Sequence, residues 1–171
     1  MPGLALLSWA HAFPLVRAGG VFIFIMGAGV LLGAFLPCKR RLLLIFGAAV
    51  ASVAMVLLAA RLSAPFGAPS RIQLGFLVGS IGAEAILIRA AVTLYRQAGE
   101  RPLLLSILFA VGLHFIPMAG AFGPICLVLG LTLCACAGSG LWLMPGMPLN
   151  VLWALDGFIK MAFGAAMFLA Q

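Results

Sequence analysis

The stretch from Ala18 to Arg41, AGGVFIFIMGAGVLLGAFLPCKRR, decides the fold. From Ala18 to Leu36 it carries no charged side chain, and Pro37 and the basic run Lys39-Arg40-Arg41 then stop it. Crossing a hydrocarbon core about 30 Å thick takes about 20 mostly apolar helical residues. The run has that length, and a basic flank is what loops at a membrane surface carry. Residues 19–37 therefore read as a membrane span.

Five more stretches repeat the pattern. The second span covers residues 42–60 and ends at Arg61. The turn-rich SAPFGAPS follows, and then a span over 72–95 that closes at Tyr95-Arg96. The loop RQAGER leads to Pro102, a first-turn proline for a span over 102–121. AFGP turns the chain into a span over 124–143, and PGMPLN separates it from the last, over 150–170. Composition agrees, with 65% of residues hydrophobic and only 8% charged. A soluble surface draws on about 25% charged residues. Lipid cannot satisfy backbone N–H and C=O groups, so each span must be helical.

The expected fold is thus all-α, a polytopic transmembrane helix bundle of about six spans, forming a single integral membrane domain over residues 1–171. The opening MPGLALLSWAHAFP has a small-x-small triplet, Ala10-His11-Ala12, like that of a signal-peptide cleavage site. It lacks a basic start, and its apolar run reaches only from Leu4 to Ala10. We read it as a short uncleaved N-terminal helix with Trp9 near the headgroups. No internal repeat is evident.

The net charge of +7 raises the question of nucleic acid, but the basic residues sit in short clusters between apolar runs. That placement suits loop topology and anionic lipid headgroups, so the expected partner is the bilayer and not nucleic acid. One set of loops holds Lys39, Arg40, Arg41, Arg96 and Arg101, and the opposite set holds Arg17, Arg61 and Arg71. The richer side is expected to face the cytoplasm, in a bacterial inner membrane. Trp142 and Trp153 flank PGMPLN as an aromatic belt would. Cys134 and Cys136 are two apart and point to different sides of a helix, so no metal site is expected. Small residues at close spacing, Gly75-Gly79-Gly82-Ala83, Gly47-Ala51 and Ala162-Ala166, mark faces for helix packing. We read these as intramolecular, with a second copy or a partner membrane subunit as the alternative occupant.

Glu84, Arg89, His114, Asp156 and Lys160 all fall inside spans. A charge at the bilayer centre costs at least about 2.5–3.5 kcal/mol, so such residues are candidates for function. At 1.5 Å per residue, Glu84, His114 and Lys160 each lie roughly 15–18 Å from one end of their spans, near the midplane. Arg89 and Asp156 lie within about 10 Å of the cytoplasmic side by the same rise. Each layer holds opposite charges that could pair if the third, fourth and sixth spans are neighbours. Asp156 and Lys160 also share a helix face, four residues apart. Pro117, three residues after His114, frees the carbonyl of Leu113 and suits a gating kink.

In WALDGFIKMAFG, Trp153 to Gly164, the order Asp156, Lys160, Phe163, Gly164 resembles the last helix of microbial rhodopsins. The resemblance implies a retinal Schiff base on Lys160 with Asp156 as counter-ion. The rest of the chain departs from that family. It is short for seven spans, its third span lacks the family's aspartate motif, and it has one Tyr and three Trp in place of an aromatic-rich pocket. No cofactor is expected. GLHFIPMAG, around His114, is similar to a stretch in small bacterial multi-span membrane proteins of unknown function, and that resemblance brings no activity with it.

The chain has no HExxH, GxSxG or phosphate-cradling loop, which points away from an enzyme. The expectation is transport or conduction of a proton, an ion or a small polar solute. Glu84 and His114 would titrate, and Lys160, Asp156 and Arg89 would tune them and couple protonation to helix movement. The alternatives are an accessory subunit of a larger membrane complex, and a membrane-embedded enzyme or lipid or cofactor carrier using Glu84 and His114 as acid and base.

Overall fold

The computed structural model describes residues 12–170. The proposed N-terminal helix, with Trp9, lies outside the described residues. Six helices follow: α1 (Val16–Phe35), α2 (Arg40–Ser63), α3 (Arg71–Tyr95), α4 (Glu100–Phe122), α5 (Pro124–Gly138) and α6 (Leu149–Leu169). No strand occurs among the described residues. The helices match the spans read from sequence to within a few residues, and each is long and apolar enough to cross a membrane when the π-helical turn Ser139–Leu143 is counted with α5.

Local chemistry sets the ends. Pro37 opens a short 3-10 turn between α1 and α2. Ser70 caps α3 with a reciprocal box, its hydroxyl accepting from the Gln73 N–H while Gln73 Oε1 accepts from the Ser70 N–H. Gly123, at φ 91°, makes the turn between α4 and α5 that a residue with a Cβ would resist.

Three arginines close helix C-termini, where carbonyls lack intrahelical partners. Arg17 donates to Ala170 O at the end of α6. Arg40 donates to Gly33 O at the end of α1. Arg101 donates to Gly140 O, Met144 O and Met147 O, holding the π-turn and the loop after it. Besides marking topology, these side chains neutralise the negative ends of helices.

The most extensive packing is between α1 and α6. The helices run antiparallel, with Gly20 against Gly164 and Gly27 against Gly157. A Cβ on any of the four would come within 2.5–2.7 Å of the opposing backbone, so only glycine lets the helices meet this closely. Around this pair, α2 packs on α1, α5 on α4 and α6, and α3 on α4. Gly29 meets Gly47 where α1 crosses α2, and Gly112 meets Gly130 where α4 crosses α5.

Buried apolar side chains form two clusters, one toward each end. Ile23, Phe115, Phe122, Leu129 and Met167 belong to one, and Val30, Leu105, Leu108, Leu152 and Trp153 to the other. On α1 and α6 the boundary falls near Gly27 and Gly157-Lys160, the level of the buried Asp156–Lys160 pair.

Three expectations need correction. Trp142 is 63% exposed, as a belt residue should be, but Trp153 is fully buried against α1. Ala162 and Ala166 face outward, and Gly157 and Gly164 make the packing face of α6. Gly75, Gly79 and Gly82 pack against nothing within 4 Å of where a Cβ would stand, because α3 meets α4 through its other side, with Phe76 seated on Gly120.

These contacts predict opposite signs for two similar substitutions. Gly157→Ala is expected to lose about 1–3 kcal/mol through overpacking. Gly79→Ala, in open space, is expected to gain up to about 1 kcal/mol from helix propensity. Reversible unfolding in mixed micelles, followed by circular dichroism, measures both.

Candidate functional site

The site starts from the α1–α6 crossing. Gly157 brings α6 against α1, and that approach seals the residues on either side of it. Asp156 is 1% exposed and Lys160 is 2% exposed, and Lys160 Nζ donates directly to Asp156 Oδ2. One helical turn separates them, so a single helix supplies both charges and keeps them in register. Two buried charges are tolerable when each neutralises the other, and removing one leaves its partner uncompensated.

The second pair joins α3 to α4. His114 Nδ1 lies 3.8 Å from Glu84 Oε1, an ion-pair separation when the imidazole is charged and too long for a hydrogen bond. His114 Nδ1 also lies 2.6 Å from Val111 O. A carbonyl only accepts, so this contact puts the hydrogen on Nδ1 and leaves Nε2 as the basic nitrogen of a neutral ring. His114 is buried, while the Glu84 side chain is 30% exposed on the outer helix.

Four of the five charged or titratable residues singled out in the sequence thus lie in two pairs, one within α6 and one between α3 and α4. Arg89 does not join them. It is exposed on the outer side of α3 and forms no ion pair among the described residues. The expected Arg89–Asp156 layer fails because α3 packs on α4, while α6 packs on α1 and α5. Pro117 does not interrupt α4, which runs unbroken from Glu100 to Phe122. It borders a groove of about 340 Å³ with Ile72, Gly75, Phe76, Gly79 and Ser80. Ser80 lies one turn before Glu84, and Pro117 three residues after His114, so the groove sits beyond the pair toward the end opposite Arg40 and Arg101.

Sequence reasoning read Arg40 as a loop charge and Trp153 as a belt residue, and passed over Asn150. Arg40, Asn150 and Trp153 meet at the end of the bundle that holds the basic loops, with Arg40 donating to Asn150 Oδ1 and lying over the Trp153 ring. Asn150 is conspicuous as a polar residue opening an apolar helix, but nothing local pairs it with Arg40, 110 residues away. Trp153 Nε1 and Asp156 Oδ1 are the two buried side-chain polar atoms without a hydrogen-bond partner among the described residues. Leaving such an atom unpaired costs about 1–3 kcal/mol, so this corner is energetically exposed. No group of three His, Cys, Asp or Glu residues placed to share a metal ion occurs among the described residues.

Six apolar helices around paired intramembrane charges define a polytopic helical bundle of the kind membranes hold. The chain belongs to DUF6609, a family of unknown function, which it matches over residues 8–171. No curated protein and no solved structure matches it.

A double-mutant cycle tests the buried pair. Lys160→Met and Asp156→Leu are each expected to cost about 3–5 kcal/mol, and the double variant to recover most of that loss. Additive single effects in micelle unfolding would contradict the pairing.

Proposed function

We propose that this protein moves protons, or a small cation in exchange for them, across a membrane. The observation that carries the reading is the Glu84–His114 pair, half-open on the side of Glu84. Glu84, the exposed member of the pair, can take up and release a proton at its carboxylate, while His114 keeps its Nδ1 hydrogen on Val111 O. A neutral Glu84 no longer sets a carboxylate charge beside the His114 ring, so protonation at α3 changes the force between α3 and α4. The response is expected in α3, which among the described residues packs mainly on α4. Weakly packed elements are the ones that move at low energetic cost.

The basic end, with Lys39, Arg40, Arg41, Arg96 and Arg101, is assigned to the cytoplasm by the positive-inside rule. In this orientation the groove beside Ser80 and Pro117 faces outward, and the Arg40–Asn150 contact faces inward.

Proton flux into liposomes holding the purified protein tests the reading. The wild type should dissipate an imposed pH gradient, and Glu84→Gln, similar in shape but unable to titrate, should fall to the level of empty liposomes. Flux unchanged in Glu84→Gln would refute the role of the pair. No flux in either protein, with both folded, would assign the charges to helix packing.

A further inference from the structure

The basic end carries a polar cluster that the Glu84–His114 pair does not use. Arg40, the first residue of α2, is 4% exposed and has no acidic partner among the described residues. Neutral groups hold its cation. Nε donates to Gly33 O at 3.2 Å, an Nη donates to Asn150 Oδ1, and the guanidinium lies 5.1 Å from the centre of the Trp153 ring. One side chain thereby ties together the end of α1 and the starts of α2 and α6.

Beneath it, Trp153 is fully buried, and its Nε1 lies against Gly33, where a Cβ would stand 2.8 Å away. Asn150, Trp153 and Asp156 follow at three-residue intervals along α6, each about 4.5 Å deeper than the last. The atoms left without partners are a donor, Trp153 Nε1, and an acceptor, Asp156 Oδ1. Water complements both, accepting from the indole and donating to the carboxylate.

Building on the transport reading, we propose that Arg40, Asn150 and Trp153 form a gate between the aqueous phase at the basic end and Asp156, and that Trp153 Nε1 and Asp156 Oδ1 receive the water that passes it. Closure depends on a hydrogen bond from Arg40 to a neutral amide. That contact exchanges for water more readily than an ion pair would, because Asn150 carries no charge to hold the guanidinium. When it breaks, Arg40 can swing toward the surface on its flexible stem and uncover the indole. Gly33 leaves the indole its closed position.

Trp153 reports on this gate directly. In a Trp9→Phe, Trp142→Phe background it is the sole tryptophan. Tryptophan emission, quenching by aqueous acrylamide, and proton flux are measured on the same liposomes. Asn150→Ala is expected to shift Trp153 emission to the red, raise its quenching and speed proton flux. Asn150→Asp, which replaces the amide with a charge partner for Arg40, is expected to keep Trp153 shielded and slow the flux. Trp153 as shielded in Asn150→Ala as in the parent, with the melting transition retained, would overturn the gate. The two readings fail separately. Glu84-dependent flux that Asn150→Ala leaves unchanged sinks the gate alone. Raised quenching without flux in any variant leaves the gate as a water entrance and sinks the transport reading.

Discussion

The close antiparallel approach of α1 and α6 is the constraint on which the remaining structure depends. Gly20, Gly27, Gly157 and Gly164 each present bare backbone to the other helix. Within a lipid phase the hydrophobic effect gives helices little reason to associate, so the attraction has to come from close van der Waals contact and polar bonds. The glycines supply the first. The buried Asp156–Lys160 contact, flanking Gly157, supplies the second. The two are linked, because a wider crossing would admit water or lipid to the charges. Salt-bridge strength here follows from backbone geometry.

The position of this polar contact organises what surrounds it. Apolar side chains cluster above and below it. Cationic side chains do different work at different depths. Lys160 neutralises a carboxylate inside the bundle, while Arg17, Arg40 and Arg101 satisfy carbonyls at helix ends. The π-turn after α5 serves the same end chemistry, since it presents Gly140 O and Met144 O to Arg101. By contrast, among the described residues α2 packs mainly on α1 and α3 mainly on α4, and α3 leaves its glycine face and Arg89 outside.

The amino-acid sequence by itself determined that the described residues are helical, that they hold six long apolar helices and where each stops. Those properties follow from length, composition and local punctuation such as Pro37, Ser70 and Gly123, which act over a few residues. It also singled out Glu84, His114, Asp156 and Lys160, since a charge in an apolar run is visible without knowing its neighbours. The Asp156–Lys160 pair was legible because both members lie on one helix, a turn apart. Tertiary structure alone decided which helices touch. That choice paired Glu84 with His114, left Arg89 out, buried Trp153 and joined Arg40 to Asn150. The physical reason is that glycine stripes look alike in sequence. Gly75-Gly79-Gly82 on α3 and Gly157-Gly164 on α6 have similar credentials, and only the second meets a complementary stripe on another helix.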